Sequence, residues 1–273
     1  MLSNEEGNNL IANYIEENKV FAVSRLGIGE CGIVYNRFKS GSFTEFDMHL
    51  LRKGGDYGHS YENFYENYIK GIECADIHVS WVGTSIIEEA QQNLFNTFSP
   101  NSIKVGNRSI EPFYFNNPWS SKLKGKKVLV ISSFMESIVS QYKKRELLWG
   151  GNELPEFTLI PYQSVQSIGG NGGPHSSWAE SLQIMKDEIS NLDFDIALLS
   201  CGHYGLPLVA HIKENLNKSA IYVGGGLQIL FGIKGARWDS HEDVSKMYNE
   251  NWVRPLKNET PNNHRIVEGG CYW

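Results

Sequence analysis

The chain lacks the features that mark several protein classes. It has only four cysteines, at positions 31, 74, 201 and 271, and no Cys-x-x-Cys pair that would suggest a zinc site or a redox motif. It has no run of about 20 apolar residues that could span a membrane. Its first residues also lack the cationic and apolar segments of a secretory signal. We therefore expect a cytoplasmic protein that can work beside a membrane surface.

Positive charge is also scarce. Lys and Arg number 25 against 31 Asp and Glu, which gives a formal net charge of -6. Nucleic-acid binding depends on Lys and Arg that displace counterions from phosphates, so we expect no nucleic-acid partner. The hydrophobic share of 41% over 273 residues is ample for a packed core.

The second half of the sequence alternates between strand-like and helix-like segments. Apolar, β-branched runs predict strands at residues 127–132, 157–160, 195–200 and 220–223. Ser133-x-x-Glu136 and Ser177-x-x-Glu180 have the form of capping boxes, and the first of these helices is predicted to run to about residue 149. Strands that alternate with helices predict a Rossmann-like α/β fold, with a mostly parallel sheet and helices on both faces.

The first half alternates in the same way, though less regularly. Helices are predicted at residues 4–18, behind Ser3-x-x-Glu6, at residues 61–69, and from Ser85-x-x-Glu88 onward. Strands are predicted at residues 20–23 and 77–82. We predict one domain over residues 1–273, with an N-terminal half (1–118), a Rossmann-like half (119–238) and a tail that wraps the surface (239–273).

The glycine-rich loop at residues 25–32 supports two interpretations. Gly27-x-Gly29-x-x-Gly32 matches the dinucleotide fingerprint, and Asp47 stands at about the distance expected of its ribose-binding acid. Alternatively, the glycines hold a loop that presents one cation, Arg25, and one carboxylate, Glu30. Arg25 precedes the glycines where the fingerprint prefers a small apolar residue, which favours the second interpretation.

Ligands of open α/β sheets bind at the carboxyl ends of the strands, where four loops of this chain are predicted. Glycines and helix N-termini in these loops can hold a phosphate. Simple turn geometry explains the glycines of the later loops equally well. The candidate nucleotide- or diphosphate-binding residues are Arg25, Gly27, Gly29, Ser133, Gly202, His203, Tyr204, Gly205, Gly224 and Gly225.

Two blocks of sequence resemble the GT-D-type glycosyltransferases. Arg25-Leu-Gly-Ile-Gly-Glu30 is similar to the family's Arg-Phe-Gly-Asp-Gly-Glu segment. Residues 195–211 together with residues 220–226 are similar to its later strand, glycine turn, helix and strand. The resemblance covers residues 18–235. It implies a Rossmann-like enzyme that transfers a sugar from a nucleotide-sugar donor, such as a UDP-sugar, to a hydroxyl of a glycan acceptor, in surface polysaccharide or glycoprotein glycan synthesis.

The resemblance also implies a role for Glu30. In the family, the Asp-x-Glu pair helps to hold a divalent metal, Mn²⁺ or Mg²⁺, on the donor diphosphate. Ile28 stands in place of the Asp here, so only Glu30 carries over, as a catalytic base or as a lone metal ligand. A helix N-terminal carboxylate that complements the dipole is its structural alternative. Two other functions stay open: a non-catalytic nucleotide-binding module, and an NAD-linked oxidoreductase.

Overall fold

In the computed structural model, residues 1–83 and 85–273 are described, and one seven-stranded sheet forms the centre of the molecule. Its strands are β1 (Ala22–Arg25), β2 (Ile77–Ser80), β3 (Ile103–Gly106), β4 (Lys127–Ser132), β5 (Thr158–Gln163), β6 (Ile196–Ser200) and β7 (Ser219–Tyr222). Their order is β3-β2-β1-β7-β6-β4-β5, and every pairing is parallel. The predicted Rossmann-like α/β fold with a parallel sheet is confirmed.

Helices cover both faces of this sheet. They are α1 (Asn4–Glu16), α2 (Ile28–Ser40), α3 (Glu45–Gly54), α4 (Tyr61–Cys74), α5 (Ser85–Phe98), α6 (Met135–Tyr142), α7 (Arg145–Leu148), α8 (Trp178–Ser190), α9 (Gly205–Glu214), α10 (Gly226–Leu230), α11 (Ala236–Asp239) and α12 (Glu242–Ser245). None of the described helices is long and apolar enough to cross a membrane.

Two apolar clusters hold the layers together, one on each face. Alternate strand residues point to opposite faces, so Val23 of β1 joins one cluster and its neighbour Ala22 joins the other. Helices α1, α6 and α10 pack on the face of Val23, whereas α2, α4, α8 and α9 pack on the face of Ala22. Each cluster contains a fully buried tryptophan, Trp119 on the face of Val23 and Trp178 on the face of Ala22.

Several element predictions are confirmed, and one capping box is wrong. Ser3 forms the predicted box with Glu6 at the start of α1. At α6, however, the helix begins at Met135, Phe134 occupies the N-cap position without a side-chain cap, and the helix is broken before α7. The side chain of Ser177 caps α8, but Glu180 accepts from the backbone of Ser176 rather than from that of Ser177.

Other differences concern the first half. The edge strand β3 and the helices α2 and α3 were not predicted. Strand β1 lies two residues later than predicted and ends at Arg25. The predicted box at Ser85 involves a side chain outside the described residues, although α5 does begin at that residue.

The tail returns over the carboxyl edge of the sheet. Glu259, only 4% exposed, accepts hydrogen bonds from the backbone N–H and the hydroxyl of Ser137 in the first turn of α6. Trp273 Nε1 donates to the carbonyl of Glu259 at 3.0 Å. The side chain of Glu259 therefore satisfies a helix N-terminus, the place that a ligand anion would otherwise favour.

Candidate functional site

The carboxyl ends of β1, β7 and β6 lie side by side, and we call the space between the loops that follow them the crevice. The chain leaves β1 and β6 toward α2 and α9 on one face of the sheet. It leaves β7 toward α10 on the opposite face. Loops that part in this way at neighbouring strands create the ligand-binding crevice of open α/β sheets. Three of the four predicted loops meet here.

Arg25 is the last residue of β1 and points toward the turn that follows β7. Its guanidinium carbon lies 4.9 Å from the centre of the Trp81 ring. Trp81 is itself fixed, because its indole N–H donates to the carbonyl of Leu26 at 2.8 Å. A methyl group at Gly224 would lie 2.8 Å from Arg25 Nη1, so the glycine lets the cation approach the backbone. Within the part of the chain that the structure describes, Arg25 forms no ion pair with a carboxylate.

Glu30 lies in the first turn of α2 and folds back over the N-cap residue, Gly27. A side chain at Gly27 would overlap with the carboxylate and would lie 2.9 Å from Glu30 Cδ. The Glu30 side chain is 22% exposed, so it can meet a ligand in the crevice. Gly27 therefore accommodates Glu30. The place of Glu30 in the first turn of α2 also agrees with its structural alternative, a carboxylate that complements the helix dipole.

His203 lies beneath Glu30 rather than at the surface. Its Nε2 is 3.9 Å from Glu30 Oε1, and its ring packs on Phe64 with 4.9 Å between centroids. The residue is 6% exposed, and Nδ1 has no hydrogen-bond partner among the described residues. Burial lowers the pKa of His203, and Glu30 opposes the shift only in part. At neutral pH the imidazole is therefore neutral and contributes no positive charge to an anion.

The turn from Gly202 to Gly205 is explained largely by packing. Gly202 has a φ of +54°, which favours glycine, and its carbonyl accepts from the Tyr222 hydroxyl at 2.8 Å. Gly205 makes room for the Tyr222 ring. Tyr204 points into the core, where it stacks on Trp178 at 5.5 Å. Of this loop, only His203 reaches a second candidate residue, Glu30.

The turn after β7 is crowded by side chains of this protein. Gly224 has a φ of +66°, as a tight turn requires. Methyl groups at Gly225 and Gly226 would lie 3.0 Å from the Tyr272 ring and 3.0 Å from Glu111 Cγ, respectively. No sequence pattern signals Glu111, because it follows a short edge strand and meets Gly226 only in the folded chain.

Ser133 lies apart from the three convergent loops, at the end of β4. Its carbonyl accepts from the side chain of Gln163 on β5 at 3.2 Å. The neighbouring helix N-terminus is already satisfied by Glu259. The structure thus brings Arg25, Glu30, His203, Gly224 and Glu111 to the crevice and leaves Ser133 beside it.

The dinucleotide hypothesis loses its structural basis. The fingerprint needs its third glycine for close packing of helix on strand, yet side chains at Gly29 and Gly32 would meet no atom within 4 Å. Asp47 is 1% exposed and forms a capping box with Thr44 at the start of α3. It is therefore not placed to bind a ribose.

The described residues do not form a metal site of the carboxylate-pair kind. Ile28, at the position of the missing Asp, is 47% exposed and offers no ligand atom. No group of three His, Cys, Asp or Glu side chains in residues 1–83 and 85–273 is arranged to hold a metal. Glu30 could supply a single oxygen ligand, and the other ligands would have to come from the substrate and water.

Comparison with known proteins places the chain in a family. The model of the GT-D fold-like domain matches residues 2–230, which contain all seven strands and the three loops of the crevice. No curated protein and no solved structure gives a significant match. The match covers most of the chain, and residues 231–273, which include the tail, follow it. The chain therefore belongs to the GT-D fold-like domain family.

Proposed function

We propose that the protein is a glycosyltransferase that moves a sugar from a nucleotide-sugar donor, with UDP the expected nucleotide, to a hydroxyl of a glycan acceptor. The observation that carries the proposal is the crevice. Arg25 ends β1, Glu30 lies in the first turn of the helix that follows, and both face the crevice in a domain of the GT-D type. The pathway follows from the same resemblance, namely surface polysaccharide or glycoprotein glycan synthesis in the cytoplasm.

Arg25 is the residue best suited to the donor diphosphate. A planar guanidinium can bind two phosphate oxygens at once, and it stays charged at every relevant pH. Trp81 restricts its rotation, so little entropy is lost when it binds. The backbone N–H groups of Gly225 and Gly226, in the turn that opens α10, lie close by as further donors, whereas the N–H of Gly224 donates to the carbonyl of Leu199.

Glu30 is the residue best suited to act on the acceptor. In the transfer, the acceptor oxygen attacks the anomeric carbon, its proton passes to a base, and the bond to the diphosphate oxygen breaks with the electron pair on the leaving group. The partly exposed Glu30 carboxylate can take that proton. Charge that develops on the diphosphate is met by Arg25 and by backbone N–H groups. The neutral His203 ring packs beneath the Glu30 side chain and adds no charge to the site.

Isothermal titration with a panel of nucleoside diphosphates, with and without Mn²⁺, tests the proposal. We expect binding of at least one of them, and we expect Arg25→Gln to weaken it roughly ten- to a hundredfold, as for loss of charge-assisted hydrogen bonds. Arg265→Gln, an exposed arginine of the tail, is the matched control and should bind as the wild type does. Absence of binding under both conditions would reject a donor site.

Turnover separates an enzyme from a binding module. If Glu30 is the base, Glu30→Gln should bind nucleotide normally but lose donor hydrolysis and transfer. The exposed Ile28 in place of a metal-binding Asp favours a second candidate, a non-catalytic nucleotide-binding module. Binding without hydrolysis or transfer in the wild type, over a panel of donors and acceptors, would favour that second function.

A further inference from the structure

Glu111 is a carboxylate that the fold holds at the crevice without using it. It follows β3 and a short 3-10 turn, and it packs against Gly226 at the start of α10, with Oε1 3.2 Å from the position of a methyl group there. No described residue donates a hydrogen bond to its side chain, although the residue is half-buried. The carboxylate is thus held at the turn with its hydrogen-bonding capacity open to a ligand.

The position of Glu111 costs folding free energy. Burial raises the pKa of Glu111, and the three guanidiniums of Arg25, Arg108 and Arg237 lower it only in part. Two of these arginines are engaged elsewhere, since Arg108 pairs with Asp243 and Arg237 with Glu268. Folding therefore disfavours the ionised carboxylate relative to the unfolded chain, and a neutral glutamine would avoid that cost. Groups kept in such positions are concentrated at functional sites.

Arg25 and Glu111 flank the same three-residue turn. Arg25 lies against Gly224, Glu111 lies against Gly226, and the ring of Tyr272 lies against Gly225 between them. A guanidinium, a carboxylate and an aromatic ring together supply donors, acceptors and a face for C–H groups, which a sugar ring needs. In a nucleotide-sugar the sugar is attached directly to the diphosphate. If the diphosphate lies at Arg25, the sugar hydroxyls come within reach of the carboxylate on the other side of the same turn, Glu111.

We propose that Glu111 binds hydroxyl groups of the donor sugar and thereby contributes to the choice of sugar. The inference rests on the proposed function, because it takes the diphosphate to lie at Arg25. The hydroxyls would donate to the Glu111 oxygens and replace the hydrogen bonds that the protein leaves unmade. Tyr272, from the tail beyond the family match, would form one wall of this subsite.

The test compares the affinity for UDP with that for UDP-glucose, UDP-galactose and UDP-N-acetylglucosamine by isothermal titration. Glu111→Gln should leave the affinity for UDP within about twofold of the wild type. It should weaken the tightest UDP-sugar by roughly ten- to a hundredfold, as expected for loss of hydrogen bonds to a charged group. Glu66→Gln, an exposed glutamate of α4, is the matched control and should change neither affinity.

The outcomes are distinguishable. Failure of the proposed function appears as no binding of UDP or of any UDP-sugar to the wild type, and this would overturn the sugar subsite as well. Failure of the present inference alone appears as normal UDP binding with an unchanged preference among the sugars in Glu111→Gln. Thermal unfolding checks the fold of the variant, whose midpoint should be at or above that of the wild type. Glu111→Asp, which keeps the charge but shortens the reach, should weaken the UDP-sugar and spare UDP.

Discussion

His203 Nε2 lies 3.9 Å from Glu30 Oε1, although the two residues come from loops that follow different strands, β1 and β6. The imidazole is buried beneath the carboxylate and is kept neutral, since burial lowers the pKa of His203. The partly exposed carboxylate therefore faces the crevice, and the neutral ring forms its floor.

Gly27→Ala should displace the Glu30 carboxylate without unfolding the protein. The backbone of Gly27 has φ -64° and ψ 156°, which alanine adopts readily, but its methyl group would overlap with the Glu30 side chain. We expect sugar transfer to fall at least tenfold, an order typical of misplaced catalytic groups, with unchanged binding of the nucleoside diphosphate. Steady-state kinetics and titration measure the two effects.

Gly32→Ala is the matched control for that variant. A methyl group at Gly32, inside α2, meets no atom within 4 Å. Replacement of a helical glycine by alanine should stabilise the protein by about 0.5–1 kcal/mol, measured by urea unfolding, and should leave transfer intact. Equal loss of transfer in both variants would show that the glycines serve the helix rather than Glu30.

Gly54→Ala should disturb the floor of the crevice. A methyl group at this position, at the end of α3, would overlap with the His203 ring, which is buried and packs on Phe64. Overpacking of this kind costs about 1–3 kcal/mol of stability. Urea unfolding measures that loss, and a wild-type free energy of unfolding would show that the ring is not confined.

Stability should depend on pH through Asp56. This residue is 2% exposed, and burial raises its pKa to about 7, against a smaller opposing effect of the Ser60 N–H. Because the folded-state pKa is raised, the stabilisation is fully present below the ordinary carboxyl range and is lost as the pH rises through about 7. Between pH 5 and pH 8 the free energy of unfolding should fall by about 2 to 3 kcal/mol from this group.

Asp56→Asn isolates that contribution. The amide cannot ionise, so the variant should gain stability over the wild type at pH 8 by more than at pH 5, in parallel urea titrations. A difference between variant and wild type that does not change with pH would contradict the assignment to Asp56.

Glu259→Gln should loosen the tail from α6. The carboxylate accepts from Ser137 and from the backbone N–H of Leu256 at 3.0 Å, and an amide can accept at only one of its two positions. We expect a loss of about 1–3 kcal/mol in thermal or urea unfolding. The exposed Glu250→Gln is the control and should unfold as the wild type does. Equal stability of the two variants would mean that the tail is held by its aromatic contacts alone.

The sequence predicts the centre of the sheet better than its edge. Strands β4, β6 and β7 are continuous apolar runs buried on both faces, a pattern that few other structures produce. β3 is a short edge strand that includes Lys104, so its pattern is weak. β1 extends through Ser24, a polar residue that is fully buried because it bonds to His78 on the neighbouring strand. No local pattern reveals such a partner.

The residues of the candidate site are also predictable only in part from the sequence. Arg25, Glu30 and the glycine turns follow strands directly, so the rule for carboxyl ends locates them. The neutral state of His203 and the contact of Glu111 with Gly226 depend on helices and turns far away in the sequence. The replacement of a predicted capping box at α6 by Glu259, 122 residues distant from Ser137, has the same cause.

A crystal structure of the protein soaked with UDP and Mn²⁺ shows directly where the nucleotide lies. The proposed donor site predicts density for the diphosphate within hydrogen-bond distance of the Arg25 guanidinium and of the backbone N–H groups of Gly225 and Gly226. Nucleotide density elsewhere, such as in the 460 Å³ cavity at the opposite edge of the sheet that is lined by Lys19, Lys126 and Lys218, would contradict it.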